Sequence, residues 1–272
     1  MKKICLFLIL SLVLSFCPAI AKDKFEVIND TVGVYVFKIN TKKYGKKIKP
    51  FMTSKLTTPQ KVYDDNCFDF VVNGGFFDVK TGKSVSYVTI DNELVSDVED
   101  NIKLVRQLKA QDRLEKVLSR AEFRILENKR HKLKFDIAMH NDPIKKGYKI
   151  KHALQAGPML LPTIDLVQEG FVIKENDIVK SQSVDILKRR ERTAIGLKGK
   201  HLYIVLFTKD HKVDAYEMKN YMEQTLKVKK SMAIKSTQFH TKANPREMHL
   251  KVNLMRQKPT KCDSRMFYSV KI

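Results

Sequence analysis

Three stretches of this chain each set two strand-forming runs around a short turn: SYVTIDNELVS (86–96), EFRILENKRHKLKFDIAM (122–139) and RTAIGLKGKHLYIVLF (192–207). Strands joined this tightly can only pair antiparallel, because a parallel connection needs a crossover of a dozen residues or more. The turns carry suitable residues: Asp91 and Asn92 in the first, a charged NKRHK in the second, KGK in the third. Further strand signals are FEVINDTVGVYVFKIN (25–40), with Asn29 and Asp30 as a turn, CFDFVV (67–72), and HALQAGPMLL (152–161), which ends in a Gly-Pro turn. Helical spacing is limited to 100–120, where Ile102, Val105, Leu108, Leu114, Val117 and Leu118 fall near one face, and to 214–227. A short helix can open at TTPQKVYDD, with Thr58 as N-cap and Pro59 in the first position. The pattern is α+β: one domain with a large, mostly antiparallel or mixed sheet and two or three helices.

The N-terminus predicts export. Lys2 and Lys3 precede the apolar run ICLFLILSLVLSF, and Ala19-Ile20-Ala21 is a small-x-small cleavage signal, so residues 1–21 read as a signal peptide. Residues 22–228 then form the domain, and 229–272 a basic segment of different character. That segment holds eleven Lys or Arg against two acids, with poor periodicity until MFYSVKI. Its sequence predicts a loop-rich or loosely folded region. Removal of the leader would leave Cys67 and Cys262, which form one disulfide or remain two thiols.

The formal charge is +22, or +20 without Lys2 and Lys3. Such a balance favours anionic partners: phosphorylated or acidic glycans, an anionic envelope surface, or nucleic acid. The lysines are spread along the chain, and the denser runs at 41–49 and 187–192 are not interleaved with aromatics as single-strand binding platforms are. Nucleic acid is therefore not expected.

The chemistry-bearing candidates are few. In FDFVVNGGFFD (68–78), Asn73 is followed by Gly74 and Gly75, which let the backbone turn sharply and approach a ligand. Phe76 and Phe77 would anchor that loop, with Asp78 at its rim. Gln155 reaches the Gly157 turn as a two-way hydrogen-bonding group. Arg192 and Thr193 stand at the head of an apolar strand, where a guanidinium can hold a phosphate or carboxylate bidentately. Asp136 and His140, four apart, share a face if the strand continues. No metal-spaced His or Cys cluster, phosphate-binding Gly-Lys-Ser/Thr loop, dinucleotide fingerprint or Gly-x-Ser-x-Gly elbow occurs, and the sequence assigns no cofactor.

Taken in order, NGGFFD…GKSVSY, ALQAGPMLL and RTAIGL…LYIVLF resemble the phosphodiester glycosidase family. The resemblance covers roughly residues 68–232. It implies hydrolysis of a sugar-1-phosphodiester, releasing the sugar and leaving a phosphomonoester; the family also includes exported bacterial proteins linked to exopolysaccharide. It further implies a cleft lined by the Asn-Gly-Gly-Phe-Phe loop, with Arg192 holding the phosphate. Asn73, Gln155, Thr193 and the Gly74, Gly75 and Gly157 amides would orient substrate, and Asp78 is a catalytic candidate. FDIAMH matches a less specific part of the pattern.

One departure bears on activity. The family's Asp-Gly-Gly, after the helix that follows the RTAIG strand, is missing. Met232, Ala233 and Ile234 stand about where it belongs, ahead of Ser236, Thr237 and Gln238. Either the chain has diverged into a catalytically inactive binder of phosphorylated or acidic glycans, or the reading frame changed near Lys227.

Overall fold

The computed structural model describes residues 25–28, 31–53, 57–66, 68, 70–78, 81–235 and the backbone of 266–269. The proposed leader, the turn at Asn29 and Asp30, both mature cysteines and residues 236–238 lie outside the described residues.

In chain order the elements begin with β1 (Phe25–Ile28), β2 (Val34–Asn40), α1 (Thr41–Tyr44), β3 (Ile48–Phe51) and α2 (Pro59–Asn66). Next come the hairpin β4 (Val88–Ile90) and β5 (Glu93–Ser96), then α3 (Ile102–Ala110) and α4 (Leu114–Leu118). β6 (Ala121–Asn128), β7 (Leu133–Met139), β8 (Tyr148–Gln155) and β9 (Met159–Leu161) follow, then β10 (Val172–Glu175) and β11 (Ile178–Gln182). The last group is β12 (Arg192–Lys198), β13 (His201–Phe207), α5 (Ala215–Asn220), a π-helical turn (Tyr221–Thr225), β14 (Lys230–Ile234) and β15 (Met266–Ser269).

The α+β class holds, with the strands divided between two main sheets. One has six strands in the order β1-β2-β13-β12-β14-β9; the other has five, β5-β4-β8-β6-β7. Within both, every pairing is antiparallel. β10–β11 and the parallel pair β3–β15 are separate ribbons.

The sheets share a core. Tyr35, Phe37 and Ile39 of β2, Leu202, Ile204 and Leu206 of β13, and Met232 and Ile234 of β14 meet Phe123, Ile125 and Ile137 of the five-stranded sheet. The alternate residues of the same strands, Val34, Val36, Tyr203, Val205 and Phe207, pack on the far side with Met218 and Met222 of α5 and the π turn. Central strands buried on both faces explain the unbroken apolar run LYIVLF. Phe70 and Val72 fill the inter-sheet core without joining a ladder, so residues 70–72 of CFDFVV are not a regular strand.

Local signals hold where turn chemistry fixes them. Asp91 and Asn92 both take left-handed backbone, as the two-residue hairpin requires. Thr58 Oγ accepts the Lys61 N–H at the start of α2. Asp214 and Glu217 form a reciprocal capping box on α5. The helix expected over 100–120 breaks in two because Asp112 turns left-handed between α3 and α4. Residues 230–234, assigned on sequence to the basic C-terminal segment, form β14 inside the main sheet, each apolar side chain buried.

Candidate active site

One end of the sandwich collects most of the residues singled out above. β7 and β8 end there at Met139 and Gln155, while β6 begins at Ala121; β12 begins at Arg192, and β14 ends at Ile234. The Gly157 N–H donates to the Ala233 carbonyl at 3.0 Å and the Ala233 N–H to the Pro158 carbonyl at 2.8 Å, tying the ends of β8 and β14 together. The Lys235 N–H then donates to the Gly74 carbonyl at 2.8 Å, which fixes the Asn-Gly-Gly loop at the same end.

The loop is packed rather than open. Gly75 has no room for a Cβ, which would lie 2.7 Å from Ser86 Oγ and 3.2 Å from the Gln155 carbonyl oxygen. The same Ser86 hydroxyl accepts the Phe76 N–H at 2.9 Å. Asn73 is 4% exposed, and its Oδ1 is buried without a hydrogen-bond partner among the described residues. Lys235 Nζ sits over the Phe77 ring, and burial pulls its pKa down to about 8. Asp78 is half-buried in the turn beyond the Phe77–Ser84 bridge, where its N–H donates to Lys83 O and its carbonyl accepts from Gly82.

Gly157 takes φ +100°, and a Cβ there would lie 2.7 Å from Glu169 Oε2. Glu169 is 1% exposed and accepts the Ala121 N–H at 2.9 Å and the Met159 N–H at 2.7 Å. Its carboxylate thus staples the start of β6 to the start of β9. Burial raises its pKa to about 7 against the pull of those N–H groups and Arg120. Arg120 donates from Nε to the Glu169 carbonyl at 2.9 Å, stacks on Phe171 and approaches Phe76. Burial lowers its pKa to about 10.

Several expected roles change on this geometry. The Gln155 amide nitrogen donates to the Leu118 carbonyl at 2.7 Å and the Val117 carbonyl at 3.3 Å, and its oxygen accepts the Tyr87 N–H. Gln155 therefore links α4 to the approach to β4 instead of presenting a free amide to substrate. The Arg192 guanidinium donates to the carbonyls of Val184, Asp185 and Lys188. Val184 and Asp185 both hold left-handed backbone, costly for residues with a side chain, and Arg192 clamps them. Gly157's amide is engaged by Ala233, as above, and Thr193 is fully buried with Oγ1 unpaired among the described residues. Asp136 pairs with Lys230 at 2.6 Å, whereas His140 lies past the end of β7, so the two do not act together.

His140 has other partners. Its Nδ1 is 2.6 Å from Glu122 Oε2, and its ring stacks on Tyr87 at 4.3 Å and 10°. Glu122 Oε1 accepts from Arg124 Nε at 2.8 Å, and both residues are almost fully buried. Arg124 also donates to the carbonyls of Met139, His140 and Asp142, holding the turn that carries the imidazole. Sequence reading missed Glu122, Arg124, Arg120, Glu169 and Lys235. The signal for the first two was present: charges two apart inside the buried strand AEFRIL share a face.

Among the described residues no three His, Cys, Asp or Glu side chains cluster to hold a metal ion. A shallow hollow of about 330 Å³ beside Gly45, His131 and Lys151 lies at the opposite ends of β6 and β8 and includes none of these residues.

A family model described as phosphodiester glycosidase matches residues 66–234, more than half of the chain. The chain belongs to the phosphodiester glycosidase family. The family match ends with β14. Similar solved structures include the zebrafish N-acetylglucosamine-1-phosphodiester alpha-N-acetylglucosaminidase catalytic domain, auto-inhibited by its pro-peptide. It is 15% identical with a TM-score of 0.47, over 78% of this chain and 69% of that one. A hypothetical protein from Synechocystis matches at 10% identity and a TM-score of 0.47, over 78% of this chain and 55% of that one. No curated protein matches. In this family member Met232, Ala233 and Ile234 are ladder residues facing Ile195, Ala194 and Thr193, so no Asp-Gly-Gly turn falls at those positions.

Proposed function

We propose that this protein hydrolyses a sugar-1-phosphodiester in an envelope or extracellular glycan, releasing the sugar and leaving a phosphomonoester. Family membership supports the reaction class, and the apolar leader supports export to the periplasm or medium. The observation that carries the reading is Asn73. An acceptor without a partner on the Asn-Gly-Gly loop is able to take a donor from a ligand. A sugar hydroxyl is such a donor. Lys235, beside the same loop, supplies positive charge for the phosphate, and Asp78 supplies a carboxylate at the rim.

The test is turnover of a fluorogenic sugar-1-phosphodiester panel by the purified chain. Asn73→Ala should lower kcat/KM by about 2–10-fold, the value of one neutral substrate hydrogen bond of about 0.5–1.5 kcal/mol. A folded wild-type protein that binds the panel but releases no sugar overturns the hydrolase reading. It would favour a second reading, a glycan binder, which the placement of Met232, Ala233 and Ile234 within β14 supports.

Phosphate binding should also depend on pH. The Lys235 amine is charged below about pH 8 and neutral above it, because burial disfavours the ammonium. Affinity for a non-hydrolysable sugar-1-phosphonate should hold at pH 7 and weaken about tenfold by pH 9.5, with one charge-assisted bond lost. Lys235→Met should flatten the profile in calorimetry. A wild-type profile already flat would remove Lys235 from phosphate binding.

A further inference from the structure

We infer that His140, oriented by Glu122, is the acid–base group of this site. The inference rests on the hydrolase reading above and supplies the proton-transfer group that β14 does not carry.

Three features of the geometry support it. First, the imidazole is held by a carboxylate. Nδ1 lies 2.6 Å from Glu122 Oε2; a carboxylate accepts, so the neutral ring carries its proton on Nδ1 and its lone pair on Nε2. Second, the carboxylate is itself fixed: Glu122 is 1% exposed and anchored by Arg124, which also grips the carbonyls of Met139, His140 and Asp142. A structural surface histidine needs no such support. Third, the ring is not buried. The His140 side chain is 30% exposed while its Glu122 partner is sealed, and Tyr87 stacks flat on one face of the ring. An oriented base that stays partly exposed is the arrangement general catalysis requires.

Two contact paths join His140 to the Asn-Gly-Gly loop. Tyr87 stacks on it, and the preceding residue, Ser86, packs against Gly75 and accepts the Phe76 N–H. On the other side the His140 N–H donates to the Arg120 carbonyl, and the Arg120 guanidinium approaches the Phe76 ring.

The groups facing the imidazole are Glu122 and Arg124 from β6, Tyr87 from the approach to β4, Arg120 through its carbonyl, and Asp142 from its own turn. Asp142 is engaged with the Met139 N–H, and the Tyr87 hydroxyl with Glu99. Glu122 is thus the carboxylate in contact with the ring.

In the step, Nε2 takes a proton from the water that attacks the anomeric carbon. The new C–O bond forms as the bond from that carbon to the phosphate oxygen breaks, its electron pair leaving with the phosphomonoester. Glu122 stabilises the imidazolium, which then returns the proton to the departing phosphate or to solvent. No redox partner is needed. Glu122 acts through His140 and is a positioning residue.

The experiment compares wild type with His140→Ala on the phosphodiester panel, with and without added imidazole. The variant should lose about 10²–10³-fold in kcat with KM little changed, and free imidazole should restore part of the rate. Glu122→Gln should lower kcat with KM little changed, because the imidazole loses the carboxylate that orients it. Restoration by imidazole separates catalysis from a packing role. Wild-type turnover that survives in His140→Ala overturns this inference and leaves the hydrolase reading standing. Absence of turnover in folded wild type overturns the hydrolase reading and the role of His140 with it.

Discussion

Glu169→Leu should destabilise the protein by about 3–5 kcal/mol, the cost of leaving a buried charge without its partner. Two buried donors, the N–H groups of Ala121 and Met159, lose their acceptor at once, and each carries a desolvation penalty of about 1–3 kcal/mol. Arg120, sealed against Phe171, loses the nearest compensating carboxylate. Neither strand start can turn to water, since both lie in the junction between the sheets. Chemical denaturation at neutral pH measures the loss. A change below about 1 kcal/mol would mean that the staple is not what holds β6 to β9. The pH dependence adds a second check. Glu169 has its pKa raised to about 7 in the fold, above the 4.5 of an unperturbed glutamate. The folded state therefore holds the extra proton between those values, and this group's contribution makes stability fall as pH rises through that window. Glu169→Leu should abolish that slope.

Arg124→Met should be the second large effect, again about 3–5 kcal/mol, because Glu122 would remain sealed with its main cation gone. At about 2–4 °C of melting temperature per kcal/mol for a domain of this size, the loss is about 6–20 °C. The same substitution frees the carbonyls of Met139, His140 and Asp142, so the turn bearing the imidazole should loosen as well. A double variant, Glu122→Leu with Arg124→Met, should be markedly more stable than the sum of the single losses, since it removes both charges together. Additive losses would argue that the two residues act independently.

The hairpins of this fold were legible because their determinants are local. Asp91 and Asn92, the NKRHK turn and Gly199 specify chain reversal within a few residues, and the flanking runs can pair with little else. The division into two sheets was not legible. It depends on β2 lying beside β13 and β9 beside β14, partners far apart in sequence whose apolar patterns fit many alternatives. The same limit governs the site. The Asn-Gly-Gly loop was readable from its glycines, but Gln155 and Arg192 were read as free groups because sequence does not show what stands opposite a side chain. Leu118 and the carbonyls of 184, 185 and 188 stand there. Glu169 sits in an irregular turn with no periodicity to mark it, and its function as a staple exists only when β6 and β9 meet.

The position of β14 has a consequence for the order in which the molecule can be completed. It is the last strand of its sheet to be made, yet it lies between β12 and β9, and β9 reaches the sheet only through it. A chain emerging from its N-terminus can form the ribbon β1-β2-β13-β12, but must leave a slot beside β12 until residue 234 arrives. Closure of this sheet therefore waits for its last strand and joins segments apart in sequence, which slows it. The six-stranded sheet thus stays open at its centre for most of its synthesis, and the junction of β8 with β14 assembles only when that slot fills.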